Sequence, residues 1–205
     1  VRYIEGVGGR AYQKLSDLSI KGEGRKLIKE ATQHFDGLDI IIANAGYANK
    51  NSITDITDVE FEEAHNTIAR SFFELTTAAV PFLKKSNNGR IIGISAFGPH
   101  VWRTQVIPFA ATAAAKGALE ITAKALALKL APDSVTVNII APGFIRKDPR
   151  AHLAIDPKAL RDVCSQIPMG RIGEAHEVAS VVKFCASKES SYLTGQVIHV
   201  NGGLV

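Results

Sequence analysis

The chain has 205 residues, 46% of them hydrophobic and 21% charged, with a formal net charge of +4. That is long and apolar enough for one domain with a sizeable core, which excludes a disordered chain. Lys and Arg are dispersed, with short pairs such as Lys84-Lys85, which suits a solvated surface and argues against a nucleic-acid partner.

The elements follow in chain order. Gly6, Gly8 and Gly9 have no strand before them and no helix start after them, so they read as a loop. Residues 11–15 form a weak strand. Residues 22–35 carry Leu27, Ile28, Ala31 and Phe35 at helical spacing. Residues 39–43 are continuously apolar, as in a strand buried on both faces. Residues 57–85 are one long helix or two, opened by a capping box from Thr57 to Glu60. A buried strand at 90–95 precedes an alanine-rich helix at 109–130. A strand at 135–140 is broken by Ala141-Pro142-Gly143. Helices at 157–167 and 176–186 lead to a last strand at Val197–Val200. This alternation predicts an α/β fold on a parallel sheet, with residues 1–205 as a single domain. The longest apolar runs are too short to span a bilayer, so no membrane partner is expected. Cys164 and Cys185 lack metal-ligand spacing, so no metal is expected, and two isolated thiols suit a reducing compartment. With no export signal at the start, that compartment is read as the cytoplasm.

In these motifs the chain resembles the short-chain dehydrogenase/reductase family, from about Gly9 to Gly203. Asn44-Ala45-Gly46 follows a buried strand, Pro142-Gly143 follows another, and Tyr192-Leu193-Thr194-Gly195 is followed by Asn201-Gly202-Gly203. Their order and spacing together are specific. The resemblance implies a Rossmann-like, three-layer, doubly wound parallel sheet, here lacking its first βαβ segment. It implies NAD or NADP as cofactor. Asp17 would lie near the adenine, and Asn44, Ala45, Gly46, Lys116, Pro142, Gly143 and Ile145 along the rest of the dinucleotide.

Two departures stand against that pattern. The family opens with a strand, a glycine-rich turn and a helix that cradle the pyrophosphate; nothing like it precedes Val1. In the family that strand sits mid-sheet, so its absence would leave a gap between 11–15 and 39–43 with unpaired backbone groups. Either the chain shown is incomplete, or 11–15 pairs directly with 39–43, or another chain fills the gap. The first is expected, because the second must repack one sheet face.

The second departure is at the reaction centre. The resemblance implies a Tyr general acid/base, a Lys four residues on, a Ser polarising the substrate carbonyl and an Asn completing a proton relay. Lys116 matches the Lys. Thr112 occupies the Tyr position, Ala96 the Ser position and Ile68 the Asn position. An aliphatic hydroxyl is too weak an acid to replace a phenol. Ser95 neighbours Ala96 but points to the other face unless the strand bulges. Asn66 is two residues from Ile68, roughly 200° round a helix. Lys147 replaces a threonine that contacts the nicotinamide amide. Tyr12, Tyr47 and Tyr192 lie elsewhere in the frame, and Tyr3 precedes it.

Other chemistry-bearing residues have bland and functional readings. Lys116 is either an inherited helix lysine or a pocket base. His100 and Arg103, beside Trp102, either bind an anion or sit on an exposed loop. Arg146, Lys147, Arg150 and His152 either hold an acidic substrate or form a solvated cluster. Three functions follow: a degenerate member without hydride transfer, repurposed or silent; an ordinary NAD(P)-dependent oxidoreductase; or a non-enzymatic assembly partner. The first is favoured. A small-molecule substrate or ligand and a homo-dimer or homo-tetramer through helices near 57–85 and 109–130 are expected.

Overall fold

The computed structural model describes residues 1–104, 106, 108–146 and 157–204. Four parallel strands form the sheet: β1 (Ile40–Ala43), β2 (Arg90–Ile94), β3 (Thr136–Pro142) and β4 (Val197–Val200). They lie side by side in chain order. The helices are α1 (Arg2–Gly6), α2 (Glu23–Phe35), α3 (Asp58–His65), α4 (Ser71–Leu83), α5 (Ala110–Leu130), α6 (Pro157–Ser165) and α7 (Ala175–Ala186).

Strand alternation sorts the core into two faces. Ile91, Val137 and Ile139 pack with α2, α4 and α5, while Ile92 and Ile140 pack with Cys185 of α7. The result is the three-layer α/β architecture expected. On α5 the buried residues Ala111, Ala115, Leu119, Ala123, Ala127 and Leu130 recur at helical spacing. Their small side chains let the helix lie close to the sheet. Gly93 of β2 leaves room for its neighbours: a Cβ there would fall 2.6 Å from Ile139 Cδ1, 3.1 Å from Phe72 Cε2 and 3.2 Å from Leu119 Cδ2 of α5.

The stretch from 57 to 85 is two helices. Thr57 Oγ1 accepts from the Glu60 N–H at 3.3 Å and the Glu60 carboxylate accepts from the Thr57 N–H at 3.0 Å, so the capping box forms. Between α3 and α4 lies a π-helical turn, Asn66–Arg70. Its extra residue resets the helical phase and drives Ile68 inward, where it is 1% exposed.

Two expectations fail. Residues 11–15 form no strand and do not pair with β1. The segment is held from the side by α2 instead: Tyr12 stacks on His34, Lys14 pairs with Glu30 at 3.0 Å, and Leu15 stays 97% exposed. With only Ala11, Tyr12 and Leu15 apolar, the segment has little strand pattern to set against these side-chain contacts. β1 is also not buried on both faces. Ile42 is 51% exposed, because α7 covers β2 and β3 rather than β1. Among the described residues no strand lies along the outer edge of β1.

The glycine motifs have visible backbone roles. Gly195 has φ +73°, and it donates to the Val137 carbonyl at 2.7 Å while Thr194 Oγ1 accepts from the Val137 N–H at 3.0 Å. Asn138 completes this clasp by donating to the Leu193 carbonyl at 2.7 Å and accepting from the Gln196 N–H at 3.2 Å.

Candidate active site

Lys116, Ile68 and Gly46 meet at the ends of β1 and β2. The Lys116 ammonium donates to the Ile94 carbonyl. A Cβ placed on Gly46 would sit 3.2 Å from Lys116 Nζ and 3.6 Å from Ile68 Cγ1, so the three residues are close neighbours. Three residues located from separate motifs therefore share one spot. Burial pushes the Lys116 ammonium down to about 8, against the opposing pull of Glu120.

Thr112 is buried, and its Oγ1 accepts the Asn49 N–H at 3.0 Å. It thus fastens the loop after Gly46, whose Asn51 side chain in turn donates to Glu60 at 2.7 Å. Ser95 is also committed. Its N–H donates to the Ile140 carbonyl at 2.7 Å, continuing the ladder without a bulge, and its hydroxyl donates to the Glu120 carboxylate. Its side chain therefore lies under α5. Ala96, the next residue, brings no hydroxyl to the site.

Glu120 is a functional-type residue that sequence reasoning missed. It is 5% exposed, accepts from Ser95 and contacts His100 Nε2 at 3.0 Å. His100 also packs edge-on against His199, ring centres 4.5 Å apart. Burial and His100 hold the His199 imidazole below its ordinary value. His100 thus turns inward onto α5 rather than presenting an anion site. Position i+4 from Lys116, on the same buried helix face, was the signal that could have found Glu120.

The remaining positions scatter. Asp17 is exposed and caps its own turn, accepting from the Ser19 N–H at 2.9 Å and hydroxyl at 2.7 Å, which lowers its carboxyl. Asn44, Ala45 and Gly46 are exposed at the end of β1. The Pro142 carbonyl accepts from the Phe97 N–H at 2.9 Å, and a Cβ on Gly143 would lie 2.7 Å from Asn201 Cα. Ile145 forms an isolated bridge with Gly173. Arg146 pairs with Glu174 at 2.8 Å. Lys147, Arg150 and His152 lie outside the described residues. Tyr47 is raised by burial, Glu63 and Glu60, the wrong direction for a catalytic phenol, and Tyr192 is fully exposed.

A family model described as enoyl-(acyl carrier protein) reductase matches residues 4–205. The chain belongs to the short-chain dehydrogenase/reductase family. It is 38% identical to the 3-oxoacyl-[acyl-carrier-protein] reductase of Salmonella typhimurium over 178 residues, 87% of this chain and 71% of that protein. The enzyme of the same name from Thermotoga maritima is 31% identical over 205 residues, all of this chain and 81% of that protein. The crystal structure of acetoin dehydrogenase from Enterobacter cloacae superposes with a TM-score of 0.85 at 28% identity, covering 99% of this chain and 78% of that one.

Short-chain dehydrogenase/reductases are NAD(P)-dependent oxidoreductases, so the fit of a dinucleotide can be tested on this fold. On the side where the family holds the nicotinamide, Asn44–Gly46 and the Pro142-Gly143 turn follow the ends of β1 and β3, and Lys116 of α5 reaches the Ile94 carbonyl at the end of β2 between them, which leaves room for a dinucleotide end there. The pyrophosphate side does not fit among the described residues. No glycine-rich turn leads from a strand into a helix there. The N-terminus of α2 is already taken, since the Gly22 N–H donates to both Glu74 carboxylate oxygens at 2.9 Å. No described helix is long and apolar enough to cross a membrane, and no described group of three or more His, Cys, Asp or Glu could hold a metal.

Proposed function

We propose that this chain is a short-chain dehydrogenase/reductase that has lost the usual hydride transfer between carbonyl and alcohol, and acts as a silent subunit or a repurposed non-redox pocket. One observation carries this reading: the Lys116 ammonium is tied to the Ile94 carbonyl near Ile68 and Gly46, and the residue one helical turn before it is Thr112, whose hydroxyl is bound to Asn49. A nicotinamide, when bound, supplies or accepts the hydride. The alkoxide left on the substrate must then take a proton from a group of matched acidity. Thr112 is an aliphatic alcohol with its oxygen already accepting from Asn49. The Ser95 hydroxyl donates its hydrogen bond to Glu120, and Ile68 offers no polar atom for a relay. Lys116, with Glu120 one helical turn on, holds charge at the site, but the position four residues before it is Thr112 rather than a tyrosine.

The test is NADH and NADPH oxidation with a carbonyl panel that includes 3-oxoacyl thioesters and acetoin. No turnover above background is expected. Steady-state turnover that disappears in Lys116→Ala would overturn the proposal. The second reading, an NAD(P)-dependent reductase, is favoured by the reductases among its relatives and by the retained nicotinamide-side motifs. Calorimetric titration with NADH and NADPH separates the two, because only the second requires binding. Exposed Val59, Phe73, Ile121 and Leu128 on α3, α4 and α5 support a homo-dimer or homo-tetramer, to be measured by light scattering. Its two unpaired cysteines suit the cytoplasm.

A further inference from the structure

The segment that follows β2 is tied to two other elements through one side chain, His100. Its Nε2 lies 3.0 Å from the Glu120 carboxylate of α5. Its ring packs edge-on against His199 of β4, with centres 4.5 Å apart and planes at 83°. Glu120 is fixed in turn, since it is buried and accepts from the Ser95 hydroxyl. The same segment contributes the buried Phe97 and Val101 to an apolar cluster with Leu204, Phe109 and Phe144.

Two imidazoles in edge contact accommodate one positive charge more readily than two. Glu120 is bonded to His100 and acts on His199 only through space. The other charged groups on these elements are balanced. Arg171 and Glu177 line the same cleft as His199 but pair with each other at 2.7 Å, and Lys116 stands one helical turn from Glu120. Loss of water around the ring and the neighbouring His100 hold the His199 imidazole below its ordinary 6.5, against the pull of Glu120. The His199 side chain keeps contact with solvent, so protons reach it. A group held below its ordinary value in one arrangement regains it when the neighbours separate. Protons therefore favour separation as the pH falls below about 6.5. We propose that His100, Glu120 and His199 form an acid-released strap, which holds residues 96–104 on α5 and β4 at neutral pH and lets them go when His199 takes a proton, uncovering Phe97 and Val101. The strap is independent of the loss of hydride transfer.

Trp102 is the sole tryptophan in the sequence, lies close to His100 and directs its indole N–H to the Pro99 carbonyl at 3.4 Å, so its emission reports on this segment. The whole chain is titrated from about pH 7.5 to about pH 5 while Trp102 fluorescence and far-UV circular dichroism are read. The emission should shift with a midpoint below about 6.5 while the dichroism holds. His199→Phe keeps a ring for the edge-on contact but takes no proton, so the shift should be lost. His100→Ala breaks both contacts, so its emission at about pH 7.5 should match that of the unaltered chain at about pH 5. In that variant the His199 ring, followed by NMR, should titrate at a higher pH. The proposal is overturned by emission that does not respond to acid, by a shift that persists in His199→Phe, or by a His199 titration that His100→Ala leaves in place. Loss of the dichroism in the same step also overturns it, because the release is then not local. A midpoint that moves with protein concentration assigns the acid response to a subunit contact and likewise overturns it.

Discussion

Replacing Lys116 by Met should make the protein more stable near neutral pH and less stable in alkali. The ammonium is 5% exposed and held at about 8 instead of the ordinary 10.5. Between those two values the unfolded chain binds a proton that the native chain releases, so native stability rises with pH across that window. Below about 8 the full penalty of burying the charge is present. At about 1.4 kcal/mol for each factor of ten, it amounts to about 3 kcal/mol. Methionine fills similar space without the charge but leaves the Ile94 carbonyl without its donor, a loss of about 1 kcal/mol. The variant should therefore gain about 2 kcal/mol at about pH 7 and lose about 1 kcal/mol near pH 11. Urea unfolding of both proteins at the two pH values measures the crossover. A variant less stable at neutral pH, or a difference that does not change with pH, would refute the reasoning.

Glu177 receives two bonds from Arg171, at 2.7 and 2.9 Å, and one from the Glu174 N–H at 2.8 Å, which hold its carboxyl down at about 2. Its contribution is present above about 4.5 and is lost as pH falls towards about 2. Glu177→Gln should lower the thermal midpoint at neutral pH and flatten its acid dependence in calorimetry. Gly143→Ala places a Cβ 2.7 Å from Asn201 Cα and should cost about 1–3 kcal/mol in urea unfolding. Thr112→Val removes the acceptor of the Asn49 N–H. Amide exchange at Asn49 should accelerate, while global stability falls by only about 1 kcal/mol.

The parallel sheet, the capping box at Thr57 and the long α5 were legible because each rests on local pattern: apolar runs, cap residues and helical periodicity. Ile68 and Lys116 were singled out from separate motifs, and the structure brings both beside Gly46. The strand at 11–15 was misread because a strand is not a local property. Its pattern is weak, and α2 offered side-chain partners in place of a neighbouring strand. The two-sided burial of β1 failed for a similar reason, since which strands α7 covers depends on the whole topology. Glu120 escaped notice because a buried carboxylate is revealed by its partners, Ser95 and His100, which lie 25 and 20 residues away in sequence.

The order of the sheet has a consequence for how these four strands come together. Because β1, β2, β3 and β4 are neighbours in the sequence in which they are synthesised, each strand can dock on the edge of the one before it. Among the four described strands none is inserted between two that precede it in the chain. Growth on the ribosome can thus proceed one crossover at a time, with α4 and α5 covering each new addition. The clasp from Thr194 and Gly195 onto Val137 comes last and locks β4 against a sheet already in place. Its loss should leave a nascent chain with a formed three-stranded platform and an unsecured final edge.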